Sequence, residues 1–283
     1  MPPLSFIKIA GNVVFFAKSY KLPDSDFKKP SGPKSDEQYG NAFKVADKIA
    51  IPQLVPPWFM PVEPNKYYQD TCDKIGNNFK ELHDTMIDAV GFSHNLWKLQ
   101  AKFQNIQVMA VSAIGTPGCL DGPALESNIK NFPGCAAWSG NKAKYRDAVA
   151  KGVSKCFKDW QDNVTVPGLP WYPAFAAFPG PMAPPMPNVP MPLITCVSPM
   201  MSSIVAPMDM KSAMIDALDS GLKQKDKDKH HEGLFEAIAT VLSAAFLMWL
   251  PAQQVMLVLG KGHHAHAHGT GLVHELLVPA TAQ

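Results

Sequence analysis

Residues 164–196 read VTVPGLPWYPAFAAFPGPMAPPMPNVPMPLITC, and this stretch, continued to Pro207, divides the chain. It carries nearly half of the chain's 27 prolines, and no charged residue lies between Asp162 and Asp209. Proline fixes the backbone angle φ and lacks an amide hydrogen, so neither a helix interior nor a central strand can run through such a segment. A disordered linker would be polar and charged. The sequence therefore predicts an extended, polyproline-like arm over residues 163–208 that buries apolar side chains against another surface.

Large apolar side chains recur along this arm, and we interpret them as contacts to a partner. Burial of such side chains stabilises an interface by about 25 cal/mol per Å² of apolar area. The predicted partners are other subunits of a protein assembly, which include further copies of this chain. The expected partner-binding residues are Trp171, Tyr172, Phe175, Phe178, Met182, Met186 and Met191.

The composition limits the classes of protein that fit. With 283 residues, the chain is long enough for one large domain or two ordinary ones. Its hydrophobic content of 46% permits a real core, whereas its charged content is only 18%, against about 25% in typical domains. A surface so poor in charge is typical of a protein covered by partners. The net charge of +2, with mixed runs of lysine and aspartate, argues against nucleic acid as the partner.

The cysteines and the N-terminal residues indicate a protein made in the cytoplasm. Five cysteines form no Cys-x-x-Cys pair, and the first residues lack the basic and apolar regions of a secretory signal. Reduced thiols are therefore expected. Two Pro-Gly-Cys triplets, at residues 117–119 and 133–135, are interpreted as turns with buried thiols. The alternatives are a pair of metal ligands, a disulfide, or a nucleophilic pair of one of these cysteines with His83 or His94.

Hydrophobic patterning predicts a mainly α fold with a short N-terminal β-hairpin and long extended proline-rich segments. Residues 1–65 are predicted to form the hairpin, around Gly11 and Asn12, followed by an extended arm. Residues 66–162 form a helical body. Apolar residues spaced by three and four predict a helix over residues 66–90, and the same spacing continues from residue 92 to residue 113, either as a kinked long helix or as two helices. A further helix is predicted over residues 139–161.

The remaining segment, residues 209–283, is predicted to be an apolar helical module with a histidine-rich tail. Residues 237–250 contain no charge and are too short to span a bilayer comfortably, which favours a buried helix. Because the apolar character resumes after Pro251, insertion of residues 234–259 into a membrane is the alternative.

The sequence GKGHHAHAHGTG, residues 260–271, is the sharpest candidate for chemistry. In an extended strand, alternation would place His264, His266 and His268 on one face, which suits coordination of a transition metal by imidazole. His263 completes the predicted metal-binding set, and His274 is a further candidate. The other interpretation is a glycine-flanked exposed tail with adventitious affinity for metals.

The proline-rich run from Pro179 to Leu193, read on to Cys196, together with the histidine cluster, resembles structural proteins of contractile phage tails and related injection systems. The resemblance is to components of the tail tube, baseplate or spike region, and the proline-rich turns are similar to those of PAAR-like spike-tip proteins, in which histidines hold a metal. The chain departs from these proteins because it shows no compact cone of glycine-rich strands, and because helices over residues 66–161 are foreign to that cone. No functional residue is therefore transferred.

These observations predict a non-enzymatic structural subunit of a large multiprotein particle, of phage-tail or injection-system type, that holds its neighbours through extended apolar arms. It would be made in the cytoplasm and incorporated in a virion or tail-like particle. A membrane-associated protein and a metal-dependent enzyme that uses the terminal histidines are the alternatives.

Overall fold

The computed structural model of this chain describes residues 4–21, 57–59, 66–109, 111–179, 183–263, 266–272 and 277–279. Helices make up most of this structure, so the prediction of a mainly α fold is confirmed at this level. The helices are α1 (Leu4–Phe16), α2 (Lys66–Gln100), α3 (Glu126–Lys130), α4 (Gly140–Asp162), α5 (Pro173–Ala176), α6 (Ser202–Val205), α7 (Pro207–Ala217), α8 (Ser220–Lys225) and α9 (His230–Trp249).

Strands are more extensive than the single hairpin that was predicted. They are β1 (Lys102–Met109), β2 (Ser112–Gly115), β3 (Leu120–Asp121), β4 (Val166–Pro170), β5 (Ala183–Pro187), β6 (Met191–Pro192), β7 (Gln253–Val255), β8 (Leu259–His263), β9 (His266–Leu272) and β10 (Leu277–Pro279). Six of them form an antiparallel path in the order β4-β2-β1-β9-β8-β5, and β3 pairs with β1. A second, three-stranded sheet has the order β10-β7-β6.

The predicted N-terminal hairpin is wrong, because residues 4–16 form helix α1. Gly11 does not serve a turn. A Cβ atom at this position would lie 2.1 Å from Nε2 of His83 and 3.0 Å from Val241. Glycine is therefore required for the close approach of α1 to α2 and α9. Of the arm predicted to follow, residues 22–56 and 60–65 lie outside the described part of the chain.

The predicted helix over residues 66–90 is confirmed, but the pattern beyond it was misinterpreted. Helix α2 continues through Gly91 to Gln100 as one helix of 35 residues, and the next segment is strand β1. Phe103 and Ile106 are both buried although they are three residues apart. A register irregularity separates them, and Asn105 between them has a φ angle of 54°. This β-bulge turns the two-residue period of a strand into a spacing that is typical of a helix.

The two other main helical predictions are confirmed. Helix α4 covers Gly140–Asp162, with Ser139 at its N-cap position, although the Ser139 side chain makes no capping hydrogen bond. Helix α9 covers His230–Trp249 and is buried along most of its length.

One hydrophobic core combines residues from several helices and from the proline-rich arm. Among its fully buried members are Phe15 of α1, Trp97 of α2, Trp160 of α4 and Trp249 of α9. Trp171, in the proline-rich arm, belongs to the same core. The arm is therefore packed against its own chain.

Candidate functional site

The proline-rich arm supplies both outer strands of the large sheet. Strand β4 pairs only with β2, and β5 only with β8, among the strands that the structure describes. Five prolines lie in these two strands, and an edge is the position in a sheet that tolerates a residue without an amide hydrogen. The arm, predicted to be extended, therefore includes edge strands, and it also contains the short helices α5 and α6.

The two edges meet where β4 and β5 end. Trp171 forms an isolated antiparallel bridge with Asn188, and the amide of Val189 donates to the carbonyl oxygen of Pro170 at 2.7 Å. The indole N–H of Trp171 donates to the carbonyl oxygen of Met186 at 2.9 Å. The large sheet therefore curls until its edge strands are joined at one end.

Asn188 fixes the arm to the C-terminal part of the chain, and sequence analysis did not single it out. Its side chain is buried, donates to the carbonyl oxygen of Val255 at 2.9 Å and accepts from the amide of Val258 at 2.9 Å. The only signal in the sequence is that it is the one asparagine in a run of proline and apolar residues. Ser198 and Ser203 anchor the next part of the arm by donating to the carbonyl oxygens of Trp160 and Cys156.

The predicted partner-binding residues divide into buried and accessible groups. Trp171 and Phe175 are buried in the chain's own core, and Phe178, Met186 and Met191 are partly buried against it. Tyr172 is 46% exposed. Met182 lies outside the described residues. Contact of these residues with another subunit stays a prediction, and Tyr172 is the most accessible member of the set.

Four other large apolar residues of the arm are exposed and were not predicted. They are Ile194, Val197, Met200 and Met208. Val197 is 54% exposed, while its backbone is fixed, because its carbonyl oxygen accepts from both the amide and the hydroxyl of Thr165 at 2.8 Å. With Tyr172 they constitute the arm surface, a set of apolar side chains that a fixed backbone presents to solvent.

The histidine-rich segment forms the hairpin of strands β8 and β9. His263 pairs directly with His266, and Lys261 pairs directly with His268. Residues that pair directly in an antiparallel ladder belong to one face of the sheet, and residues two apart on a strand share that face. The register thus assigns positions 263, 266 and 268 to the same face. His264 lies outside the described residues, as does the further candidate at position 274.

Buried histidines and thiols elsewhere are held in neutral forms. Burial lowers the pKa of His83 and lowers that of His94 well below its ordinary value. His83 hydrogen-bonds Asp84 through Nδ1 at 2.8 Å, whereas the structure gives neither nitrogen of His94 a hydrogen-bond partner among the described residues. The Sγ atoms of Cys119 and Cys135 donate to backbone carbonyl oxygens. The alternative Cys–His pairs are therefore not formed.

The described cysteines also do not form disulfides or a metal-ligating group. All five cysteines are buried, and none of them is joined in a disulfide. Burial raises the pKa of Cys119 and Cys156 to about 11 and that of Cys196 to about 12. No group of three or more His, Cys, Asp and Glu residues that suits a metal ion occurs among the side chains that the structure describes.

Helix α9 is the one described helix that is long and apolar enough to cross a membrane by length and composition. In the fold, 67% of its most apolar window of 18 residues is buried. Glu236, on the same helix, pairs with both Lys18 and Lys211. Burial of this kind is what a core helix requires.

No protein-family model, no curated protein and no solved structure matches this chain.

Proposed function

We propose that this chain is a structural subunit of a large multiprotein particle, of the kind found in phage tails and related injection systems, and that it contacts neighbouring subunits through the arm surface. The observation that carries this proposal is the coincidence of three properties in one segment. The arm has no charge, its backbone is fixed to the body of the chain, and it exposes large apolar side chains such as Val197 and Met208.

Physical chemistry explains why these properties favour a contact surface. An apolar surface rimmed by polar residues is typical of interaction sites on soluble proteins. Because hydrogen bonds to Asn188, Ser198 and Thr165 already order the arm, a partner would bind without the entropy cost of ordering a flexible segment. The resemblance of the segment from Pro179 to Leu193 to tail proteins supports the type of particle.

Site-specific photo-crosslinking in cells that naturally express the chain tests this proposal. A photoreactive amino acid at Val197 should give crosslinks to defined subunits of a particle that sediments with a fixed number of copies of the chain. The same amino acid at Lys158, which is exposed on α4 and pairs with Asp162, is the control and should give none of these products. Sedimentation of the chain as a free monomer would contradict the proposal.

A second candidate function is metal binding by the β8–β9 hairpin, because the register places three histidine positions on one face. Directly opposed residues of an antiparallel pair have Cβ atoms about 5 Å apart, and imidazole is a ligand that Zn²⁺, Ni²⁺ and Cu²⁺ accept. His263, His266 and His268 are the ligands that this register favours. Turnover by a bound metal would be a separate property.

Calorimetric titration with Zn²⁺ separates a built site from the affinity of any histidine-rich segment. The double variant Ala267→His, His268→Ala keeps the composition but moves one imidazole to the position opposite Gly262, on the other face. If the three histidines bind Zn²⁺ together, the variant should bind Zn²⁺ at least about tenfold more weakly than the wild type, which corresponds to the loss of one ligand interaction. Equal affinity of the wild type and the swapped variant would show adventitious binding only.

A further inference from the structure

The outer surface between helices α4 and α7 is an open groove of about 410 Å³. The two helices run antiparallel, since Lys144 near the start of α4 pairs with Asp219 beyond the end of α7, at 3.4 Å. They approach closely at Gly152, where a Cβ atom would lie 2.7 Å from the backbone nitrogen of Met214. Small residues therefore form much of the floor, including Gly152, Ala213 and Ala217.

The two walls of this groove carry opposite net charges. Helix α4 contributes Lys151 and Lys155, which are exposed, and helix α7 contributes Asp209 and Asp216, which are exposed two helical turns apart. Asp159 also lines the α4 wall, where it pairs with Lys155 at 2.7 Å, so two lysines and one aspartate leave this wall with a net positive charge. Neither aspartate on α7 makes a salt bridge with a residue that the structure describes, and neither does Lys151.

A groove with one positive and one negative wall is complementary to itself. A two-fold axis parallel to the groove exchanges the walls and leaves each residue at its own height along the groove. The lysines of one copy then face the aspartates of the other, and the reverse contact forms at the same time. Gly152 packs on Met214, which fixes how far along the groove the lysines lie. Lys151 and Lys155 therefore lie beside the part of α7 between Asp209 and Asp216.

The same axis gives a favourable arrangement of helices. It places α4 of one copy over α7 of the other, and these two helices are antiparallel, as neighbours are in most four-helix bundles. Antiparallel neighbours also oppose their helix dipoles favourably. A two-fold axis perpendicular to the groove would instead place lysine over lysine.

We propose that the α4–α7 groove is the interface of a two-fold symmetric dimer, whose occupant is the α4–α7 pair of a second copy of this chain. This dimer goes beyond the proposed role of the arm surface and does not depend on it. The groove residues do not include any member of the arm surface except Met200 at one end. The two contacts together would let one chain hold both a copy of itself and a different subunit.

Sedimentation velocity of the full chain at low salt tests the dimer through charge reversal. We expect the wild type to dimerise, and we expect Lys151→Glu with Lys155→Glu to raise the dimer Kd by at least about tenfold, because like charges then face each other. Asp209→Lys with Asp216→Lys should do the same. An equimolar mixture of these two variants should dimerise again, since every reversed residue meets a residue of opposite charge.

Two further variants make the test decisive. Lys74→Glu with Lys158→Glu changes the net charge equally on exposed surface outside the groove and should leave the Kd unchanged. The quadruple groove variant restores complementarity within one chain and should dimerise, which also shows that loss of association does not come from misfolding. A monomeric wild type, reversal variants that dimerise like the wild type, or a mixture that stays monomeric would each overturn the proposal.

Discussion

The substitution His94→Phe should flatten the dependence of the unfolding free energy on pH between pH 7 and pH 5. His94 is fully buried, and neither of its ring nitrogens has a hydrogen-bond partner among the described residues. Its ring stacks on Trp97 with centroids 5.7 Å apart and meets Trp249 edge-on at 4.4 Å. Burial in this aromatic cluster lowers the pKa of His94 well below its ordinary value, so the folded protein holds the imidazole neutral.

The sign and size of the effect follow from proton linkage. Unfolding transfers the imidazole to water, where its pKa is about 6.5. Below this pH the unfolded chain binds a proton that the folded chain does not, so stability falls as the pH falls, until the pH reaches the folded-state pKa of His94. If His94 stays neutral in the fold down to pH 5, it accounts for a loss of about 2 kcal/mol between pH 7 and pH 5.

Urea unfolding followed by tryptophan fluorescence measures this difference at the two pH values. The loss of stability between pH 7 and pH 5 should be smaller in His94→Phe than in the wild type by about 2 kcal/mol. Phe157→Leu, which alters a ring in contact with His94, is the control and should lower stability equally at both pH values. The same pH dependence in the wild type and in His94→Phe would refute the reasoning. If phenylalanine proves too large for the site, His94→Leu makes the same comparison.

Three further predictions concern the packing of the arm, the first helix and the thiols. Asn188→Ala should lower the free energy of unfolding in urea by about 3 kcal/mol, because it removes the buried hydrogen bonds to the carbonyl oxygen of Val255 and from the amide of Val258. Asn163→Ala, at a partly exposed helix end, should lower it by less than about 1 kcal/mol. Gly11→Ala should lower the free energy of unfolding by about 1–3 kcal/mol, because its Cβ atom would overlap the ring of His83. The double variant Gly11→Ala with His83→Ala should lose less stability than the two single variants together. The native chain should not react with Ellman's reagent at pH 8, because all five thiols are buried and the pKa of Cys196 is raised to about 12. In denaturant, all five cysteines should react with the reagent. Reaction of the folded chain would contradict the burial of the thiols.

The sequence predicted the long amphipathic helices because their signal is repeated many times. Helices α2 and α4 present apolar residues at helical spacing over several turns, and a single glycine such as Gly91 does not outweigh them. Two of the errors arose where one residue decided the local structure. Gly11 was taken for a turn although it allows close packing on His83, and Asn105 inserts a bulge that makes a strand resemble a helix. Both depend on contacts made by residues far away in the chain.

The sequence predicted only part of the candidate site, because part of it depends on contacts with distant residues. Composition identified the arm as extended and apolar, since proline content and charge are properties of the segment alone. Which of its side chains are exposed depends on where the arm packs, so Trp171 and Phe175 were grouped with Tyr172 although only Tyr172 is exposed. Asn188 was missed because its role depends on Val258, 70 residues further along the chain.

The prolines of the arm also determine how a partner can bind to it. An exposed sheet edge normally invites a further strand, which pairs through backbone amides and carbonyl oxygens. Strand β4 includes Pro167 and Pro170, and β5 includes Pro184, Pro185 and Pro187, so both edges lack many of the amide donors that an added strand would need. The sheet therefore resists extension at both edges. On the proposed function, a partner of the arm would therefore contact side chains. The large side chains that the arm exposes are apolar and include Tyr172 and Val197.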